Sequence, residues 1–431
     1  MANRPIPIPG IPFHNRSGLL RWWGQARTSF PWMVAVAFIL RLAYIIIGHT
    51  YKFKPIDDNF GFGFEMGRIG RALAEGQGFS NPFSALTGPT AWEPPLYPLL
   101  IAAVFRLFGV YTHASAITLL AINSFFSALT CIPIFLIAGR CFGERVAVWS
   151  AWTWALLPNV IFWCTRWIWE TSLAALLLAV IFWLALVMED LDGAKPWIVF
   201  GMLWGVSALI NTSLLAFLPA SGLWIWYRRA KLGKRSFGGV VLATLFFFAC
   251  VAPWLIRNDR TFGQFVFIRS NFGAELRLGN GPGADGLWMD YLHPTKNPSQ
   301  LQRYRELGEI AYVAERKREA TAYIREDRGR FAWLSLKRFI YYWGGLPTSG
   351  NAFAGALKNS LYLASSILAF WGLGRALRKC KPGAWLFLWL VLCYPLIYYF
   401  VFPHPRYRHP IEPELGILIL YVISEARTRR A

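Results

Sequence analysis

Acidic residues are scarce in this 431-residue chain: 23 Asp+Glu stand against 44 Lys+Arg, and only 16% of all residues are charged. A soluble domain carries closer to a quarter, so a chain wetted over its whole surface is excluded. Cysteine is scarce too. The six, at positions 131, 141, 164, 250, 380 and 393, show no C-x-x-C spacing, which argues against a zinc knuckle and against a disulfide framework. The Gly279-Asn280-Gly281-Pro282-Gly283 loop lacks the G-K-[ST] ending and flanking strand of a P-loop, and a Rossmann fingerprint is missing. Residues 1–28 lack the short apolar core and small-residue cleavage site of a signal peptide.

What the chain has instead is apolar mass: 55% of its residues are hydrophobic. Runs near 29–48, 114–139, 146–163, 168–188, 195–210, 212–227, 238–256, 358–374, 384–402 and 411–424 approach the roughly 20 residues that cross a bilayer. The net charge of +21 would point to nucleic acid in a soluble protein. Here the cations sit between apolar runs, as Arg228, Arg229, Lys231, Lys234 and Arg235, then Arg375, Arg378, Lys379 and Lys381, then Arg427, Arg429 and Arg430. They therefore mark the cytoplasmic side and exclude a nucleic-acid partner. Two further apolar segments, 96–109 and 334–347, are only about 14 residues long. Counting both as crossings would put the Arg228–Arg235 loop outside, so they read as half-inserted or interfacial helices.

The expected fold class is an all-α polytopic membrane protein of about 10–12 transmembrane helices with juxtamembrane helices. Residues 1–28 form a cytoplasmic tail, 29–256 a transmembrane module containing the first outer loop 49–113, 257–357 a large extracytoplasmic loop, and 358–431 the last helices and a short tail. Within the large loop, Pro298-Ser299-Gln300-Leu301-Gln302 reads as a helix start capped by Ser299.

Chemistry is expected in the outer loops. Asp57 and Asp58 stand within ten residues of the first span, at the membrane surface, where a carboxylate meets both an aqueous acceptor and a lipid-borne donor; turn formation is the plainer use of the pair. Glu65 opens the segment Phe64–Gly76, and Glu93 heads the rigid Trp92-Glu93-Pro94-Pro95-Leu96-Tyr97-Pro98 element, either as a polar residue before a Pro turn or as a substrate or Arg contact. Arg166 and Glu170, four apart, pair on one face if the helix is continuous. Arg257 and Asn258 leave the seventh span together. In Pro403-His404-Pro405-Arg406-Tyr407-Arg408-His409-Pro410, two arginines lie on the face that the charge rule keeps poor in cations. A phosphate partner explains them, as does snorkelling to headgroups.

These marks, in this order, resemble the polyprenyl-phosphate-sugar-dependent glycosyltransferases of the GT-C fold, in particular family 39, which includes protein O-mannosyltransferases and lipid A aminoarabinose transferases. The marks are the acidic pair after the first span, the E-x-x-x-x-x-R-A-L-A-E-G-x-G-F helix region at 65–79, the P-P-L-Y-P element, the W-x-I-R-N exit at 254–258 and the R-Y-R-x-P motif at 406–410. The resemblance implies a GT-C-like bundle, seven spans before the large outer loop, and a first-loop Asp as the base that activates the acceptor, which is Asp58 or Asp57 here. The aminoarabinose transferases carry a basic residue where this chain has Glu93.

The reaction so implied is an inverting transfer of a sugar from a polyprenyl-phosphate donor to a hydroxyl of an acceptor glycan, lipid or protein, at the outer face of a bacterial inner membrane. It needs a base and cations for the departing phosphate. Asp58 and Asp57 are the candidate catalytic residues; Arg257, Arg406 and Arg408 are the candidate phosphate clamp; Glu65, Glu93, Asn258, His404 and Tyr407 complete the candidate substrate contacts. The sequence identifies no certain cofactor and leaves metal use open, with Asp57, Asp58 and Glu65 as the carboxylates that could hold Mg²⁺ or Mn²⁺. The rival reading is a polytopic transporter or flippase, which would pair broken helices in two halves, whereas these runs divide unevenly around the large loop.

Overall fold

The computed structural model describes residues 28–53, 60–347 and 351–428. Among these residues the regular secondary structure is helical, joined by loops, with one isolated antiparallel bridge between Ser80 and Pro89. Each apolar run of the sequence becomes a helix or a pair of helices. Four of them are long and apolar enough to cross a membrane: Phe30–Ile47, His113–Phe142, Phe237–Phe262 and Ala352–Arg378. Glu144–Leu156 and Pro158–Arg166 make a fifth if their 45° bend is counted within one span.

Leu96–Phe108, at 13 residues, reaches about 20 Å at 1.5 Å per residue, short of the roughly 30 Å hydrocarbon layer. Arg328–Gly344 has 17 residues and carries Lys337 and Arg338 on its second half.

The bend at Pro158 has a cause and a remedy. Proline brings no N–H, so the carbonyl of Trp154 four residues earlier loses its helical partner. Arg41, fully buried in the first long helix, donates to the Trp154 and Ala155 carbonyls at 3.2 and 2.9 Å and to Ser127 Oγ at 3.3 Å. An intramembrane cation is thus accounted for by carbonyl dipoles rather than by an acid.

Helix Thr171–Val187 orients the bundle. At its far end Glu189 meets Arg140 and Arg228 at 3.1 and 2.5 Å, and Lys234 lies 3.0 Å from Asp192. The basic loop expected on the cytoplasmic side is therefore tied down by the 189–192 turn. Glu170 sits at the opposite end of the same helix.

Two expectations change here. The helix before residue 170 ends at Arg166 and a new one starts at Thr171, so Arg166 and Glu170 do not share a face. Arg166 instead donates to Tyr44 Oη at 3.2 Å. In the large loop the cap is Asn297, whose Oδ1 accepts from Ser299 N and Gln300 N, with Pro298 as the first helical residue; proline suits that position because its missing N–H would be idle there.

Candidate functional site

The ends of these helices opposite the 189–192 turn, with the loops between them, enclose a cavity of about 490 Å³. The segment between the first two long helices brings Glu65 and Glu93 to it. The large loop brings Arg269, Glu275 and His293, the break before helix Thr171–Val187 brings Trp169 and Glu170, and the last loop brings His404, Arg406 and Tyr407.

Glu65 is the first residue of helix Glu65–Ala74, entered through a tight backbone: Gly63 has φ +83° and a Cβ there would stand 2.5 Å from the Ile168 carbonyl. Glycine is the residue that accepts both conditions. Gly70, on the same helix, lets Ile101 approach to where a Cβ would be 2.6 Å away, which seats the helix against Leu96–Phe108.

His293 Nε2 lies 3.3 Å from Glu65 Oε1, while its Nδ1 accepts from the backbone N–H of Thr295 at 3.2 Å. An accepting Nδ1 leaves the proton on Nε2, so the neutral imidazole donates to Glu65. Phe83, Trp92 and Trp288 pack edge-on around that ring. Burial, opposed by Glu65, holds the His293 pKa below its ordinary value.

Segment 90–93 is zipped to segment 269–270. Ser270 N donates to Ala91 O at 2.9 Å, Arg269 Nε to Trp92 O at 2.9 Å, and the Arg269 guanidinium to Glu93 Oε1 at 3.1 Å. Buried behind this zipper, the Glu309 carboxylate accepts from Thr90 Oγ1, Ala91 N, Ser270 Oγ and Tyr304 Oη, the last three at 2.7 Å. Burial pushes the Glu93 carboxyl up to about 8, against the pull of Arg269 beside it. Burial likewise lifts Glu275 to about 7, again opposed by Arg269.

His404 caps the short helix Pro405–Arg408 by accepting from Arg406 N at 3.2 Å. Desolvation, reinforced by Arg406, depresses its pKa to about 3 and leaves it neutral. The Arg406 guanidinium lies 3.6 Å above the centre of the Trp169 ring and 3.3 Å from Tyr407 Oη. Tyr407 stacks on Tyr398 at 4.5 Å.

Of the residues singled out in the sequence, the cavity therefore gathers Glu65, Glu93, His404, Arg406 and Tyr407. Asp57 and Asp58 lie outside the described residues. Arg257, Asn258 and Arg408 are absent from the described lining. Helix Phe237–Phe262 runs six residues past the apolar run, so Arg257 stays on its flank, donating to the Thr90 and Phe79 carbonyls at 2.6 and 2.9 Å over the Trp254 ring. Asn258 is buried against the Val266 and Ile268 carbonyls. Arg408 reaches Ser365 Oγ and Ser366 Oγ at 2.7 and 2.8 Å and pins the last loop to helix Ala352–Arg378.

Sequence reasoning missed Arg269, Glu275 and His293, and gave Glu170 a different partner. Among the described residues no three His, Cys, Asp or Glu side chains are grouped to hold a metal ion. Glu65 is the one member of the acidic trio seen in the cavity, and one of its oxygens is taken by His293.

Residues 92–256 match the family model described as dolichyl-phosphate-mannose-protein mannosyltransferase. No curated protein matches the sequence. Among solved structures, the chain is similar to the oligosaccharyltransferase AglB of Archaeoglobus fulgidus in complex with an inhibitory peptide and a dolichol-phosphate. There the identity is 14% and the TM-score 0.55, over 96% of this chain and 51% of that one. The A. fulgidus oligosaccharyltransferase complex with Zn and sulfate gives 13% identity and a TM-score of 0.52, over 92% and 49%. ArnT from Cupriavidus metallidurans bound to undecaprenyl phosphate gives 14% identity and a TM-score of 0.35, over 90% and 77%. The chain thus spans about half the length of the archaeal structures it matches, and it shares their GT-C fold, as the sequence resemblance implies.

Proposed function

We propose that the protein is an inverting glycosyltransferase that moves a sugar from a polyprenyl-phosphate donor to an acceptor hydroxyl on a protein, lipid or envelope glycan. The observation that carries this reading is the meeting of three separate outer loops in one cavity, with Arg406 and Arg269 among carboxyl groups on its walls. The match of residues 92–256 to a lipid-phosphate-sugar family supports it. In this reading the loops face the extracytoplasmic side of a bacterial-type inner membrane, and the lipid tail of the donor lies in the bilayer beside the cavity.

In the reaction, a first-loop carboxylate takes the proton of the acceptor hydroxyl, whose oxygen attacks the anomeric carbon as the bond to phosphate breaks. The polyprenyl phosphate leaves as an anion, so a base and cations suffice, and a single displacement inverts the centre. Asp58 or Asp57 is the base by position in the resemblance. Arg406 and Arg269 form the phosphate clamp, with Arg269 taking the place that the sequence gave to Arg257, because guanidinium geometry suits phosphate oxygens. Glu65, held by His293, and Tyr407 line the seat of the reacting groups. The described residues do not fit a divalent cation by themselves, and Asp57 and Asp58 would have to supply its further ligands.

The test is transfer by the purified protein from a panel of polyprenyl-phosphate mannose, glucose, galactose and arabinose. Release of polyprenyl phosphate coupled to sugar transfer is expected from at least one donor. A protein intact in lipid that consumes none of them overturns the reading.

A further inference from the structure

Glu170 occupies the turn between two helices and lines the cavity. Its Oε1 accepts from Asn211 Nδ2 at 3.0 Å, and Asn211 Oδ1 accepts the Ser213 N–H at 3.0 Å. A backbone N–H demands an acceptor, so the amide has one orientation and the carboxylate is held in one place. Its second oxygen, Oε2, is buried with no hydrogen-bond partner among the described residues. Glu93 repeats the arrangement on another wall: Oε1 is held by Arg269, and Oε2 is buried and unmatched among the described residues. Two such oxygens on one cavity are costly to leave unmet, and each is anchored by its sister oxygen so that it cannot turn away.

The ligand group that matches them follows from their chemistry. A phosphate brings acceptors and negative charge, which an ionised carboxylate repels and only a protonated one could meet. An ammonium brings donors alone and suits only an ionised carboxylate. A hydroxyl donates to an ionised oxygen and accepts from a protonated one, so it satisfies either group in either state. Position agrees: Glu170 follows Trp169, whose ring carries the Arg406 guanidinium, so a hydroxyl seat adjoins a phosphate seat, as in a sugar phosphate.

We propose that Glu170 and Glu93 read the hydroxyl groups of the donor's sugar ring and thereby select which sugar is transferred. This rests on the glycosyltransferase reading above and adds to it the two residues that set specificity.

The experiment pairs changes in enzyme and substrate. The best polyprenyl-phosphate sugar from the panel is compared with its monodeoxy analogues, using wild type, Glu170→Ala and Glu93→Ala. At one or two ring positions wild type should lose about 100-fold or more in kcat/KM on deoxygenation, since a site built for a hydroxyl rejects its absence strongly. At one of those positions Glu170→Ala, and at the same or another Glu93→Ala, should lose less than about threefold, because the interaction is already gone. Variants that discriminate as wild type does overturn the proposal while leaving glycosyl transfer standing. Should a variant fail to fold, wild type alone still decides against it if no deoxy position matters. A wild type that uses no polyprenyl-phosphate sugar removes the parent reading and this one together.

Discussion

Arg406 lies flat on Trp169, its guanidinium carbon 3.6 Å from the ring centre. A planar, delocalised cation stacks in this way and still offers its N–H fork at the edge, whereas a lysine ammonium does neither. Arg406→Lys should therefore weaken binding of a polyprenyl phosphate by about 2 kcal/mol without loss of fold. Arg408→Ala, two residues on, should lower the thermal midpoint and leave that affinity within about twofold, because Arg408 is spent on Ser365 and Ser366. Measured affinities of both variants for the undecaprenyl lipid check the contrast.

The raised carboxyl of Glu93 makes stability depend on pH. Its folded-state value of about 8 stands above its ordinary 4.5, so the folded chain holds the proton more tightly. The contribution is complete below pH 4.5 and is lost as pH rises through 8. Glu93→Gln, which keeps an oxygen for Arg269, should flatten this loss and be the more stable protein at high pH, by on the order of 2–4 kcal/mol. Thermal midpoints of both proteins from pH 5 to about pH 9 measure it.

Glu309 holds four donors with two oxygens, and removing it strands a backbone N–H and three hydroxyls in the interior. Glu309→Ala should cost about 3–5 kcal/mol, more than Tyr304→Phe at about 1 kcal/mol. Chemical unfolding of the lipid-reconstituted variants gives the comparison.

His293→Phe tests the histidine as a holder of Glu65. The aromatic box of Phe83, Trp92 and Trp288 accepts a phenyl ring, while Glu65 loses its donor. Transfer should fall about tenfold with an unchanged thermal midpoint. A drop in both together would assign His293 to packing.

The parts of the site that the sequence disclosed are those with a local signature. Arg406 and Tyr407 stand out because cations are rare on that face, and Glu93 because three prolines follow it closely. Arg269 and His293 sit in irregular stretches of the large loop and Glu275 in the short helix Phe272–Gly279, none with a telling motif; the zipper of 269–270 onto 90–93 places Arg269, and contacts with Glu65 and the aromatic rings place His293. Arg257 and Glu170 misled for one reason. Both were judged by where an apolar run stops, yet helix Phe237–Phe262 continues past its run and the helix before Glu170 stops at Arg166. Helix ends follow caps and prolines as much as hydropathy. The bundle itself was legible because long apolar runs leave few alternatives in a bilayer.

The cavity draws its walls from residues as far apart as Glu65 and Tyr407. During synthesis the carboxyl-bearing loops are made and inserted long before the loop that carries Arg406. A nascent chain halted anywhere short of residue 404 thus lacks the cation that sits on Trp169, and the cavity is complete only once the last loop has been made and folded back onto the first.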